Sequence, residues 1–288
     1  MNRRADLFYD GHALLAEGPV WDSREEALLW VDIDAGKVHR RKTATPAEHM
    51  DVGQKVGAVA LRGGGGFVLA LKEGFALVDR WGGPVRIVAR PEKDKPRNRM
   101  NDGKCDGAGR FWAGTMGPEK GDGALYRLDA DGSTRTMVDG VTISNGLGWS
   151  LDQRTMYFID TPTQRIDAFS YDAASGDIRD RRSLIEVPKE HGSPDGMCVD
   201  AEGCLWVAFW GGNAVRRYTS AGALDETIEV AASQVTSCTF GGADLSELYI
   251  TTASVGLSPT DAHAQPHAGG VFVVHPGVKG LPASAFSG

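Results

Sequence analysis

Short apolar runs alternate with polar turns along nearly the whole chain. The stretch DGMCVDAEGCLWVAFW, which begins at Asp195, shows the unit: an apolar run, a turn rich in Asp and Gly, and a stronger apolar run. Short apolar runs bounded by turn residues indicate β-strands joined in hairpins. No long segment shows the 3.6-residue period of an amphipathic helix, so the pattern predicts an all-β protein.

The same unit recurs six times, and successive copies begin 39 to 50 residues apart. A third and a weaker fourth apolar run follow most copies, which gives four strands per unit. A repeat of about 40 to 50 residues with four strands is typical of a β-propeller blade. We therefore predict a single six-bladed β-propeller domain over residues 1–288. The apolar stretch LFY near the N-terminus is expected to pair with the last blade and close the ring, which removes open sheet edges.

The repeat also predicts where a functional site lies. The first strand of each propeller blade lines the central channel, so residues at one phase of the repeat form a ring around the axis. The residues at the phase of Asp195 are Glu17, Val56, Asp102, Asn145, Asp195 and Ser237. Three carboxylates and one amide are thus expected to converge at a channel mouth.

Carboxylates that face one small space repel each other and raise each other's pKa unless a cation neutralises them. Carboxylate and amide oxygens suit calcium, magnesium or manganese, and carboxylates also bind zinc. The pattern therefore predicts one divalent metal ion, Ca²⁺, Zn²⁺, Mn²⁺ or Mg²⁺, in the channel. The alternative is that each acidic residue only caps a turn.

Composition excludes several other classes of function. The chain has 31 Lys and Arg against 38 Asp and Glu, a net charge of −7, and no basic run, so we expect no nucleic-acid or membrane partner. No apolar stretch reaches the roughly 20 residues of a membrane span, and the N-terminus does not resemble a secretory signal. The GxSxG motif of many serine hydrolases is absent.

The four cysteines form no CxxC pair. Cys105, Cys198 and Cys238 lie within apolar strand patterns, where a free thiol behaves as a small hydrophobic group. They are expected to be core thiols of a reduced, cytoplasmic protein. We also expect a monomer, with a weak dimer as the alternative.

Motifs along most of the chain resemble those of the regucalcin/gluconolactonase (senescence marker protein-like) family of sugar lactonases, which are six-bladed propellers. The similar stretches span residues 17 to 288 and include EGPVWD, NRMNDGKCDGAGRFWAGTM, SNGLGWSLD, PDGMCVDAEGCLWVA, TSCTFGGADLSELYITTA and QPHAGGVF. The resemblance implies metal-dependent hydrolysis of a sugar lactone to the aldonic acid, a carboxylic ester hydrolase reaction.

The resemblance also implies the roles of individual residues. It places the metal ligands at Glu17, Asn145 and Asp195. Asp195 is in addition our candidate for the catalytic base. It implies substrate contacts from Arg99, Asn101 and Glu119, although the segment that carries Glu119 is shorter here than in some members. Asp102 is expected beside the ligands, reaching the metal through a bound water.

Two alternatives remain open from the sequence. The first is a calcium-binding regulatory protein that holds metal in the same ring without turnover. The second is another propeller esterase or phosphotriesterase, but such enzymes often place a catalytic histidine at the channel, and no ring position here is a histidine.

Overall fold

A computed structural model describes residues 3–42 and 45–288 of the chain. Six small antiparallel sheets stand in a ring around a central axis. The fold is the predicted six-bladed β-propeller, with almost no helix. Residue 1, at which the predicted domain begins, lies outside the described residues.

The innermost strand of each blade lines the axis. Each of these strands contacts the next around the ring, and the last contacts the first, so the circle is closed. In chain order from blade 1 to blade 6, they are β3 (Ala16–Asp22), β7 (Val56–Leu61), β11 (Arg99–Cys105), β15 (Ser144–Trp149), β19 (Ser193–Val199) and β23 (Val235–Gly241).

Two further strands of each blade follow outward in chain order. The second strands are β4 (Ala27–Asp32), β8 (Phe67–Leu71), β12 (Phe111–Met116), β16 (Thr155–Asp160), β20 (Leu205–Trp210) and β24 (Glu247–Thr252). The third strands are β5 (Lys37–Lys42), β9 (Gly74–Val78), β13 (Gly123–Leu128), β17 (Arg165–Tyr171), β21 (Ala214–Tyr218) and β25 (Val271–Val274).

The outermost strands complete the blades. Five of them are β6 (Glu48–Asp51), β10 (Arg86–Ala89), β14 (Thr134–Val141), β18 (Ile178–Glu186) and β22 (Leu224–Glu229). In blade 6 this place is taken by the N-terminal strand β2 (Asp6–Tyr9), which pairs antiparallel with β25. The predicted closure of the ring by the LFY stretch is confirmed. A two-residue strand, β1 (Arg3–Arg4), adds to β22 as a fifth strand of blade 5.

The helical segments are short. Over residues 3–42 and 45–288 they are the α-helix α1 (Pro259–Ala264) and two 3₁₀ turns, Thr161–Thr163 and Lys189–His191. Within the described residues, no helix has the length and apolar character needed to cross a membrane.

The hydrophobic core is divided among the interfaces between adjacent blades. Trp30, Trp112 and Trp206 each lie in an interface between adjacent blades and are almost fully buried, which confirms that they are packing residues. The indole nitrogens of Trp112 and Trp206 donate to Asp106 and Asp200, the aspartates of the hairpin turns that connect the first two strands of blades 3 and 5. These hydrogen bonds fix each turn to its strand, and thereby the inner strand that precedes it.

The far end of the channel holds a cavity of about 140 Å³, which is bordered by the later residues of the inner strands and by the C-terminal segment 281–284. That segment is anchored further on, where the amide of Phe286 donates to the Leu61 carbonyl at 2.7 Å and that of Ser287 donates to the Gly109 carbonyl at 2.9 Å. The Phe286 side chain is buried between blades 2 and 3. The C-terminus therefore covers the channel end opposite the predicted ring.

Candidate metal centre in the channel

An irregularity in strand pairing occurs at the predicted ring position in every blade. The register between the first and second strands shifts between Glu17 and Val20, Val56 and Ala58, Met100 and Gly103, Asn145 and Leu147, Pro194 and Met197, and Val235 and Ser237. Such bulges re-aim side chains and are frequent next to functional sites. Here they turn polar side chains toward the axis at one end of the channel.

Glycines beside the ring residues allow the inner strands to approach closely. A Cβ atom added to Gly57 would lie 2.3 Å from the carbonyl oxygen of Asn101, and one added to Gly196 would lie 2.9 Å from Cα of Ser237. Both distances are shorter than side-chain contacts allow, so these positions accept only glycine without a backbone shift. The narrow spacing concentrates the ring residues in a small volume.

The register assigns blade 3 differently from the repeat alignment. In four blades, the hairpin turn after the first strand begins with a residue whose side chain accepts hydrogen bonds from backbone amides. A polar side chain lies five residues before that residue in each of these blades. These pairs are Glu17 and Asp22, Asn101 and Asp106, Asn145 and Ser150, and Asp195 and Asp200. Asn101 therefore occupies the ring position that the alignment of the six repeats assigned to Asp102. Asp102 lies one residue further along β11 and borders the cavity.

A chain of hydrogen bonds joins three blades at this ring. Arg99 Nη1 donates to Asn101 Oδ1 at 2.6 Å, and Asn101 Nδ2 donates to Asn145 Oδ1 at 2.7 Å. Asn145 Nδ2 donates to Thr161 Oγ1 at 2.7 Å, and this hydroxyl donates to the Pro194 carbonyl at 2.8 Å. The chain orients the Asn145 amide so that its oxygen faces the ring.

The acidic members of the site are buried and close together. Burial, followed by the charge of Asp102, raises the pKa of Glu17 to about 8. Burial and the charges of Glu17 and Asp102 raise the pKa of Asp195 well above its usual range, and the carboxyl groups of Glu17 and Asp195 share a hydrogen bond. Strongly perturbed acids in a channel are a feature of functional sites.

The residues present fit a divalent metal ion. Glu17, Asn145 and Asp195 supply hard oxygen donors, all less than 8% exposed. Asp102 accepts a hydrogen bond from the amide of Gly103 through Oδ1, whereas its other oxygen, Oδ2, is buried without a hydrogen-bond partner. Buried carboxylates normally have a hydrogen bond, a counter-charge or a metal, and this donor set matches the preference of Ca²⁺, Mg²⁺ or Mn²⁺.

A second acidic cluster has a different explanation. Asp200, Glu202 and Cys204 bring three potential ligand atoms within 4.8 Å of one another. Arg217 forms ion pairs with Asp200 at 2.7 Å and with Glu202 at 2.5 Å. The guanidinium already neutralises this cluster, so we assign it a structural role in the turn of blade 5.

The structure does not bring Glu119 to the ring. Glu119 is exposed in the turn after β12, where its amide donates to Asp122 Oδ2 at 3.0 Å. By contrast, Arg99 donates to Asn101, and burial lowers the pKa of its guanidinium although the charges of Asp34, Glu17 and Asp195 oppose this effect. The geometry therefore groups Arg99 and Asn101 with the proposed ligands and leaves Glu119 outside.

Two residues of the site were missed from the sequence. Thr161 follows the second strand of blade 4 and holds Asn145, and Lys104 of β11 donates from Nζ to the Met197 carbonyl at 2.6 Å. Thr161 could have been predicted as a site residue, because the C-terminal end of the second strand lies beside the ring residue of the same blade. Lys104 carried a weaker signal, as a charged residue in a channel-lining strand.

The four cysteines are buried thiols. Cys198 and Cys238, on the inner strands of blades 5 and 6, lie with their sulfur atoms 3.7 Å apart. The structure thus agrees with the prediction of free core thiols.

The fold and the site together define the class of the protein: a six-bladed β-propeller with a buried cluster of acidic and amide side chains at one end of its axial channel. Residues 15–254 match the family model described as the SMP-30/gluconolactonase/LRE-like region. The chain belongs to this family.

Individual relatives agree with this assignment. The chain is 43% identical over 284 residues to regucalcin from Gallus gallus, and the alignment covers 95% of each. The solved structure of regucalcin from Agrobacterium tumefaciens, described as a calcium-binding protein, has a TM-score of 0.95 and 30% identity and covers 99% of this chain and 98% of that one. A luciferin-regenerating enzyme has a TM-score of 0.91 and 31% identity, with 98% and 99% covered.

Proposed function

We propose that this protein hydrolyses a sugar lactone to the aldonic acid with the help of one divalent metal ion. The observation that carries the proposal is the buried Glu17–Asp195 carboxyl pair beside the oriented amide oxygen of Asn145. Family membership supports lactone chemistry in general, because gluconolactonases are among the proteins that define the family.

Glu17, Asn145 and Asp195 would hold the metal. When bound, it would supply Lewis acidity that polarises the lactone carbonyl and lowers the pKa of a water molecule. All three ligands are oxygen donors on different blades, so the closed ring fixes their separation. Arg99 beside the ring and Lys104 on its cavity side are cations that offset part of the acidic charge.

Asp195 is the proposed general base. As the water oxygen bonds to the lactone carbonyl carbon, Asp195 takes one proton from the water. The bond between that carbon and the ring oxygen then breaks, and Asp195 returns the proton to the ring oxygen. The resulting carboxylic acid ionises at neutral pH and releases one proton, and the acidic site repels the anionic product.

Arg99 and Asn101 are the proposed contacts to sugar hydroxyls. Hydrogen bonds to Asn101 Oδ1 and to the Met100 carbonyl fix the guanidinium of Arg99. The remaining N–H groups of the guanidinium are available to donate to a ligand. Glu119 contacts substrate only if its exposed turn moves toward the channel, so we give it no role in this proposal.

The test is a substrate panel after exhaustive chelation. Acid release in a pH-stat is measured for sugar lactones, an unsubstituted lactone, an aryl ester and a phosphotriester, with and without Ca²⁺, Zn²⁺, Mn²⁺ or Mg²⁺. We expect turnover of sugar lactones in preference to the other substrates, loss of turnover on chelation, and recovery with at least one metal.

Two outcomes contradict the proposal. Preference for the aryl ester or phosphotriester would favour the other propeller hydrolases. Metal binding without turnover of any substrate would favour a calcium-binding regulatory protein; the Agrobacterium relative is described as a calcium-binding protein. A monomeric, cytoplasmic protein stays our expectation and is independent of this test.

A further inference from the structure

Lys104 spans the channel beneath the ring. It belongs to β11 of blade 3, and its Nζ donates at 2.6 Å to the carbonyl of Met197 on β19 of blade 5. Blade 4 lies between these two blades, so the side chain reaches across the axis rather than along a blade. Lys104 and Asp102 border the same 140 Å³ cavity.

The ammonium group is thus placed on the cavity side of the acidic cluster. It donates to a main-chain carbonyl and not to a carboxylate, so its charge is not consumed by one close ion pair. Its field reaches the acids of the site, because Lys104 and Asp102 lie two residues apart on β11 and line the same cavity.

We propose that Lys104 is the built-in counter-cation of the metal site: it stabilises the acidic cluster when no metal is bound and opposes the metal when one is bound. This inference rests on the proposed metal centre and deepens it. Lys104 is a positioning residue, since its ammonium group donates to the Met197 carbonyl and acts on the site through its charge. Its Met197 bond holds the amine under the ring at the strand that carries Asp195.

A thermodynamic cycle turns this into a measurable statement. If Lys104 stabilises the metal-free site and destabilises the metal-bound site, its removal must lower the free energy of unfolding of the metal-free protein more than that of the metal-bound protein. Linkage then requires that metal affinity increases by the corresponding factor. Loss of the hydrogen bond to the Met197 carbonyl affects both states alike and cancels from the comparison.

The experiment compares wild-type protein with Lys104→Met, which has a similar length without charge, and Lys104→Arg, which keeps the charge. Calcium and manganese affinities are measured by isothermal titration calorimetry on chelator-treated protein, and Tm is measured with and without metal. We expect Lys104→Met to bind both ions tighter by on the order of tenfold and to lose more Tm without metal than with it. Lys104→Arg should stay close to wild type.

Lys72→Met is the matched control. Lys72 is exposed in the turn after β8, at the channel end that carries the ring, so its loss removes one positive charge without opening the site. We expect its metal affinity to stay within about twofold of wild type, because solvent screens exposed charges.

The outcomes separate this inference from the proposed function. Wild-type metal binding with unchanged or weaker affinity in Lys104→Met overturns the role of Lys104 and leaves the metal centre standing. An equal loss of Tm in both states also overturns it, since Lys104 then only supports the fold. Absence of metal binding by the wild-type protein overturns both. If Lys104→Met does not fold, Lys104→Gln gives the same comparison.

Discussion

Glu17 links metal binding to protons at the residue scale. Burial and the charge of Asp102 raise its pKa to about 8, so the metal-free protein carries a proton there below that pH. A metal held by Glu17 must displace the proton. We expect affinity, measured by calorimetry, to rise by up to about tenfold per pH unit toward pH 8 and then to level off. A flat profile between pH 6 and 8 would contradict this assignment.

The same shift predicts how the stability of the metal-free protein depends on pH. The folded pKa of Glu17, about 8, lies above its ordinary value of 4.5, so the folded state holds the proton more tightly. Stability from this group is complete below pH 4.5 and is lost as pH rises through 8. Urea unfolding of chelated protein should show this fall, and Glu17→Gln should reduce its slope. An equal slope in the variant would assign the effect to other groups.

Thr161 tests whether the orientation of Asn145 matters. Thr161→Val removes the hydroxyl that accepts from Asn145 Nδ2 and donates to the Pro194 carbonyl. Groups that orient a ligand typically change metal affinity by about 10–100-fold, and we expect a loss in this range by calorimetry. Thr163→Val is the control, because that hydroxyl bonds only locally to the Asp160 carbonyl at 2.7 Å. Equal effects of the two variants would show that the 3₁₀ turn, and not the amide, is responsible.

At the scale of the elements, the close approach of the inner strands is the feature on which the site depends. Gly57→Ala places a Cβ atom against the Asn101 carbonyl, where the gap is 2.3 Å. Overpacking of this kind costs about 1–3 kcal/mol, so denaturant unfolding should show a clear loss. Gly64→Ala lies in an open turn with nothing within 4 Å of the added atom and should change stability little. Unchanged stability of Gly57→Ala would mean that the inner strands of adjacent blades move apart at little cost in free energy.

The elements also show what the sequence could and could not predict. The apolar repeat predicts all six blades and the closing strand, since strand patterns and turn residues are local. It places Glu17, Asn145 and Asp195 correctly in one ring. It misassigns blade 3, because Asp102 and Gly103 follow Asn101 directly and the DG pair was matched to that of Asp195 and Gly196. The contact of Lys104 joins strands that are two blades apart, which no local pattern reports.

For the whole molecule, the ring is closed by a strand from the N-terminus. β2 pairs with β25, and Phe8 packs edge-on against Tyr249 with ring centroids 4.9 Å apart. Deletion of residues 1–9 leaves β25 as an open edge. We expect Tm to fall by about 5 °C or more, since each lost kcal/mol lowers the Tm of a large domain by roughly 2 °C. An unchanged Tm would show that blade 6 does not need this strand.

The central claim is that the ring of Glu17, Asn145 and Asp195 forms a metal-dependent lactonase centre with Asp195 as its base. Asp195→Asn keeps an oxygen ligand of the same shape but cannot accept a proton. The most direct test is kcat for a sugar lactone in a pH-stat, with wild type and Asp195→Asn both saturated with metal. The account predicts a loss of about 10²- to 10⁴-fold in the variant. Wild-type turnover by metal-saturated Asp195→Asn would contradict it.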